Sequence, residues 1–167
     1  DIIDISKIES EQLKISNKPV RINGILDEIY SSYFHRIRGD APGQKKVAFN
    51  LKKVNDSHDF TIVADDFRLS QVFNNLIGNA IKFTEQGSIT IRAIQEGDGK
   101  THFSVQDTGI GIPPQAQKNI FDRYYQASDK DEGSKKGSGL GLYIAKEIIK
   151  GHEGHIWVES DGIPGQG

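Results

Sequence analysis

The sequence predicts an α/β fold: a two-layer sandwich in which a mixed, largely antiparallel sheet is covered on one face by helices. Three observations carry this. Leu69, Val72, Phe73, Leu76, Ile77, Ala80 and Ile81 recur at helical spacing and give one long helix a continuous apolar stripe. Val47, Phe49 and Leu51 alternate as a strand does, and short apolar runs recur near 61–64, 89–94 and 102–106. The last two flank Glu96-Gly-Asp-Gly-Lys100, a hairpin signal.

Taken in order, Ile2, Ile5 and Ile8 lie three apart, as in a helix too short to stand alone in water. They fit either a frayed terminus or the end of a longer helix. Leu13 and Ile15 alternate with polar residues and predict a short strand, interrupted at Pro19. A helix follows from about Asn23, its expected N-cap, to Phe34, with Ile25, Leu26, Ile29 and Tyr33 apolar. Residues 36–46 are turn-rich and 55–59 polar, so both read as loops. Asp65 or Asp66 caps the long helix, and Gly87 closes that region. The stretch 127–136, ASDKDEGSKK, is charged, glycine-bearing and non-periodic, and reads as a mobile loop. A helix over 140–150 and a strand over 155–159 complete the chain, which contains no internal repeat.

A length of 167 residues supports one domain with a real core, and 35% hydrophobic with 26% charged residues is ordinary for a soluble protein. The net charge of -2 gives no electrostatic case for nucleic acid or an anionic membrane. No apolar run reaches the roughly 20 residues of a membrane span, and no signal peptide is visible. With no cysteine, disulfides and thiolate metal sites are excluded, which fits a reducing cytosol. A first residue of Asp and the absence of methionine suggest a piece of a longer protein.

Four segments carry candidate chemistry. Asn75 and Asn79 lie one turn apart beside the apolar stripe, with Gly78 between them. Such an amide pair is either ordinary exposed-face composition or a means of holding a hydrated cation or polar ligand through side-chain oxygens. Asp107-Thr-Gly109-Ile-Gly111-Ile112-Pro113 follows a strand; its carboxylate can cap a turn or accept a hydrogen bond from an exocyclic amine. Phe121-Asp-Arg-Tyr124-Tyr125 follows a short helical stretch. Gly137-Ser138-Gly139-Leu140-Gly141-Leu142 opens a helix, where backbone N–H groups and the helix dipole favour phosphate. A dinucleotide fingerprint would need a preceding strand, and a charged loop precedes instead.

In this order and spacing the four segments resemble the N, G1, F and G2 boxes of sensor histidine kinases, members of the GHKL ATPase superfamily with the Bergerat-type fold. The resemblance covers roughly residues 60–160. The opening, Asp1-Ile-Ile-Asp-Ile-Ser-Lys-Ile-Glu9, is similar to the end of the second helix of that family's dimerisation domain. The resemblance therefore implies two parts: residues 1–10 as a stump of the dimerisation and phosphoacceptor helix, and 11–167 as the catalytic ATP-binding domain. It implies ATP and Mg²⁺ as cofactors. Asp107 would read the adenine amine, with Gly109, Gly111 and Ile112 shaping the approach. Asn79 would supply an oxygen to Mg²⁺, with Asn75 as a second candidate. Lys82 would meet phosphate and Phe83 would lie beside the base, unless it is plain core. Gly137, Ser138, Gly139, Leu140, Gly141 and Leu142 would cradle phosphates. Residues 127–136 would close as a lid, anchored by Phe121 and Tyr124, for which ordinary core is the other reading.

Hydrolysing relatives carry a Glu where Asn75 stands, and an amide cannot take a proton. The resemblance thus implies a kinase that passes the γ-phosphoryl to a histidine on a dimerisation domain, for relay to a response-regulator receiver domain. This domain would be cytoplasmic, in a homodimeric parent for which an inner-membrane sensor is one option, with no nucleic-acid partner. Two other classes stay open: a GHKL-type ATPase, and a non-catalytic module that senses nucleotide or holds a partner. His35 is followed by Arg-Ile-Arg, with a base where an orienting acid is needed; His58, His102, His152 and His155 read as loop or surface residues without metal-ligand spacing. Gly165-Gln-Gly167 matches the turn before the family's last strand, so an edge strand is expected to be missing, and His152-Glu-Gly154 departs from the more usual glycine pair.

Overall fold

Strand 86–95 is the organising element of the molecule. The computed structural model describes residues 2–37, 46–54, 60–126 and 137–167. Along them run α1 (Ile2–Glu9), β1 (Lys18–Arg21), α2 (Ile22–Ile37), β2 (Lys46–Lys52) and β3 (Thr61–Ala64). Then come α3 (Asp66–Phe83), β4 (Gln86–Gln95), β5 (Thr101–Asp107), α4 (Pro114–Gln117) and α5 (Gly141–Gly151). β4 sits between β2, which is parallel to it, and β5, which is antiparallel. The register sets Phe49 beside Ile89 and Ile91 beside Val105. Ile89, Ile91 and Ala93 are buried at every second position, so one sheet face meets the helices. β1 and β3 form a separate antiparallel pair. The expected mixed α/β sandwich is what the chain adopts.

Helix α3 lies between two apolar clusters. Phe73 and Ile77 join Leu26 and Ile29 of α2 against Ile89 and Ile91 of the sheet. Val72, on another side of α3, joins Leu140, Ile144, Ala145 and Ile148, together with Ile5 of α1. Full burial of an Ile or Leu contributes about 1.5–3 kcal/mol, so the α5 stripe holds that helix firmly on α3.

Several expectations require correction. Leu13 and Ile15 form no strand; they pack, half-buried, against the α5 cluster, and the strand is β1. Three alternating residues cannot distinguish a strand from a connector, whereas β1 has a partner in β3. Pro19 lies inside β1, which a two-stranded edge tolerates. Asn23 is not an N-cap: α2 already begins at Ile22, and Asn23 is buried in its first turn. Gly87 lies within β4, opposite Val47, rather than closing the helix region. Residues 155–159 take no strand assignment; Trp157 instead stacks on His102 of β5 at 5.0 Å.

Of the two candidate caps for α3, Asp65 is the one used. Its Oδ1 accepts from the Arg68 N–H at 3.0 Å and its Oδ2 from the Ser16 N–H at 2.9 Å, while Asp66 pairs with Lys18. His152, expected as a loop or surface residue, stands half-buried in the turn that ends α5. Its Nε2 accepts from the Asp65 N–H at 3.0 Å and its Nδ1 donates to the Ile148 carbonyl at 2.9 Å. Those partners select the neutral Nδ1–H tautomer. Terminal fraying does not occur at α1. Ile5 is 5% exposed, and the Asp4 carboxylate accepts from Arg68 at 2.7 Å and Gln71 at 2.9 Å. The expected lid, 127–136, the bulk of the 36–46 loop and the link 55–59 lie outside the described residues.

Candidate nucleotide site

The site is assembled along the C-terminal half of α3. Asp65 fixes where α3 starts, and Thr84 ends it, its N–H donating to the Ala80 carbonyl at 3.0 Å. Between them the buried stripe sets the helix rotation, so Asn75 and Asn79 fall half-buried beside it, Asn75 against the start of α5. Asn75 is engaged there: its Nδ2 donates to the Gly141 carbonyl at 3.0 Å. Among the described residues no cluster of three or more His, Cys, Asp or Glu could hold a metal ion. A cation here would depend on carboxamide oxygens, ligand phosphates and water, a set that suits magnesium.

The turn after β5 closes on the C-terminal end of α3. Asp107 Oδ1 accepts the Gly109 N–H at 2.8 Å, an Asx turn. A Cβ on Gly109 would stand 2.6 Å from the Phe83 carbonyl oxygen, so the approach requires glycine. The same carbonyl accepts the Ile110 N–H at 3.3 Å. Behind the turn, Thr108 and Ser88 exchange bonds: the Thr108 N–H donates to the Ser88 carbonyl, and the Ser88 N–H to Thr108 Oγ1. The Ile112 N–H donates to Ser160 Oγ at 2.9 Å, and Gln117 Nε2 donates to the carbonyls of Ile112 and Ser160. The Gly165 N–H reaches the Gly109 carbonyl at 2.7 Å.

The second glycine segment approaches from the other side. α5 starts at Gly141 without a side-chain cap on its first turn, which leaves backbone N–H groups to meet an anion. The Leu140 N–H contacts Ser138 Oγ at 3.3 Å. Lys82 Nζ lies 3.2 Å from where a Cβ on Gly137 would be, and 4.8 Å from the Phe83 ring centre. Gly139, at φ +68°, accepts the Tyr124 N–H on its carbonyl at 3.0 Å; a Cβ there would stand 2.7 Å from the Tyr124 backbone. Tyr124 itself has φ +61° and is 59% exposed, with the Arg123 guanidinium over its ring.

The geometry thus brings Asn75, Lys82, Phe83, Asp107, Gly109, Tyr124, Gly137, Gly139 and Gly141 into one contact network. Phe83 is 41% exposed and Tyr124 more so, against the core reading of each. Leu140 is buried in the α5 cluster, so only its backbone borders the site; Leu142 and Phe121 are half-buried. Gly111 and Ile112 pack instead against residues 160–163, and Ser138 accepts the Leu140 N–H within its own segment. Thr84, Ser88, Gln117 and Ser160 escaped the sequence reading. The bonds Thr84–Asp107, Ser88–Thr108, Gln117–Ser160 and Ile112–Ser160 span 20–48 residues, so no local pattern marks them.

An asparagine-bearing helix, an Asx turn and a glycine-rich helix start joined in this way define a nucleotide-binding ATPase domain. The family model described as histidine kinase-, DNA gyrase B- and HSP90-like ATPase matches residues 64–167, and the chain belongs to that family. Its kin within the family are sensor histidine kinases. The chain is 35% identical over 162 residues to the aerobic respiration control sensor protein ArcB of Escherichia coli K12, covering 96% of this chain and 20% of ArcB. It is 36% identical over 150 residues to the ArcB homolog of Haemophilus influenzae, covering 90% of this chain and 44% of that protein. The chain therefore spans about a fifth to under half of these relatives. Among solved structures, the catalytic domain of histidine kinase ThkA superposes with TM-score 0.71 at 30% identity, covering 86% of this chain and 88% of that one. Full-length ShkA in complex with AMPPNP gives TM-score 0.73 at 27% identity, covering 95% of this chain and 32% of that one.

Proposed function

We propose that this chain binds Mg-ATP and presents its γ-phosphoryl to a histidine on a dimerisation domain, for relay to a response-regulator receiver domain. The observation that carries the reading is the junction of three segments along the C-terminal half of α3. Phe83 holds the Asp107 turn, Asn75 holds Gly141, and Gly139 holds Tyr124. Asp107 would accept the adenine amine, and Phe83 would flank the base. The α5 N-terminus and Lys82 would meet the phosphates, and Asn79 would give a carboxamide oxygen to Mg²⁺, with Asn75 Oδ1 as the second candidate. The ion would neutralise phosphate charge. Asn75 has no proton-accepting group, which supports transfer over hydrolysis. In this reading α1 ends the dimerisation domain, residues 1–10, and 11–167 form the catalytic domain of a homodimeric kinase working in the cytoplasm. No helix among the described residues is long and apolar enough to cross a membrane.

Labelled ATP tests the reading. His152 is engaged on both ring nitrogens and His102 stacks on Trp157, so neither is poised as a nucleophile. The chain alone should bind ATP and acquire no acid-labile label, and a dimerisation domain carrying an acceptor histidine should become labelled when added. Label on the chain that His35→Ala abolishes would overturn the assignment of the acceptor. Rapid phosphate release would favour the ATPase class, and neither label nor release a nucleotide-sensing module.

A further inference from the structure

Thr84 is the first residue after α3, and its side chain is wholly buried against Asp107. Its hydroxyl donates to Asp107 Oδ1 at 3.4 Å, the same oxygen that accepts the Gly109 N–H at 2.8 Å. Two donors from different elements thus converge on one carboxylate oxygen. Gly109 belongs to the turn that Asp107 itself begins, so it moves with the turn. Thr84 does not: its backbone is fixed to Ala80 in the last turn of α3. The Phe83 carbonyl holds the turn's backbone through the Ile110 N–H, and the threonine is the side-chain contact that fixes the carboxylate itself relative to the helix carrying Asn79 and Lys82.

We infer that Thr84 is a positioning residue for base selectivity: with Gly109 it occupies Asp107 Oδ1 and so directs Oδ2 at the exocyclic amine of a 6-aminopurine. The inference rests on the assignment of Asp107 to adenine. A carboxylate is acceptor-only, and a 6-amino group offers a donor where a 6-oxo group offers an acceptor. Held in one rotamer, Asp107 accepts from the first and repels the second. Released from Thr84, it swings about its side-chain torsions and loses part of that discrimination.

The test measures binding of ATP, GTP and the triphosphate of purine riboside, which lacks the amine, to the 167-residue chain with Mg²⁺ by calorimetry. Thr84→Val keeps the shape and removes the hydroxyl; Thr84→Ser keeps the hydroxyl. Thr84→Val should lower the ATP-to-GTP affinity ratio about tenfold, the size of one charge-assisted hydrogen bond, and leave the purine analogue unchanged. Thr84→Ser should retain the parental ratio. The ratio does not depend on the fraction of folded protein, so a loss of stability cannot mimic the result. A parental ratio in Thr84→Val beside a lost ratio in Asp107→Ala would overturn the inference and leave Thr84 a packing residue. A parental ratio in Asp107→Ala would instead overturn the adenine assignment beneath it.

Discussion

Asn75 on α3 donates its carboxamide N–H to the carbonyl of Gly141, the first residue of α5, at 3.0 Å. The donor half of the amide is what this contact uses. A carboxylate in its place would face that carbonyl with an acceptor only.

Asn75→Glu, the residue of hydrolysing relatives, should therefore not create an ATPase in this framework. The expected outcome is a loss of about 1–3 kcal/mol of stability, a fall in melting temperature of several degrees, and unchanged phosphate release. Steady-state phosphate detection and a thermal melt read both. A substantial gain in turnover would show that the α5 contact gives way easily.

Asn79→Ala and Asp107→Ala should each weaken Mg-ATP binding ten- to a hundredfold, the worth of about 1.5–3 kcal/mol for a contact to a charged group. Calorimetry at fixed magnesium checks this. The Asn79 loss should shrink when magnesium is omitted, whereas the Asp107 loss should not.

Asp65 and Asp4 both titrate below the ordinary carboxylate value of 3.8. Burial pushes each upward; on Asp65 the amides of Ser16 and Arg68 outweigh it, and on Asp4 the side chains of Arg68 and Gln71. A carboxylate with a depressed folded value gives stability that is complete above its unfolded value and lost as pH falls through the folded one. The contribution of both groups should thus be constant above about pH 5 and decline below about pH 4. Asp65→Ala should cost about 2 kcal/mol at neutral pH and make the acid limb of the unfolding curve shallower. Circular dichroism between pH 2 and 6 follows it.

Ile5→Ala should free α1 from the body of the protein. Ile5 is the buried contact of α1 with the α5 cluster, and its truncation should cost about 2 kcal/mol or more. Hydrogen exchange should show loss of protection over residues 2–9 with α3 and α5 unaffected. Uniform loss across the chain would mean that α1 is integral to the core.

What the sequence made legible follows from the range over which a pattern acts. The α3 stripe repeats over thirteen residues, so its existence, its buried face and the placing of Asn75 and Asn79 on one edge could be read directly. Asp107 and Gly109 are two apart, and their turn was readable for the same reason. Asp65 was ambiguous with Asp66 because both can reach N–H groups of the first turn, and the distant partners that separate them, Ser16 for Asp65 and Lys18 for Asp66, leave no local pattern. The tie of His152 to Asp65 was not foreseen because its partner is 87 residues away, and Thr84 passed unnoticed because its hydroxyl meets a residue 23 positions on. β1 was missed because a four-residue strand gains its identity from pairing with β3, which alternation cannot reveal.

The bond from His152 to Asp65 has a mechanical meaning beside that of Asn75 to Gly141. One joins the tail of α5 to the head of α3; the other joins the head of α5 to the middle of α3. Ten residues separate the fastenings on α3 and eleven on α5, each a distance of about 15 Å along a helix axis. Two antiparallel rods pinned at matched intervals can neither slide nor splay without breaking a pin. A push on the glycine-rich head of α5 therefore does not dissipate in that helix. The path it has is through the pins to Asp65 and from there to Ser16, in the segment that leads from α1 into β1.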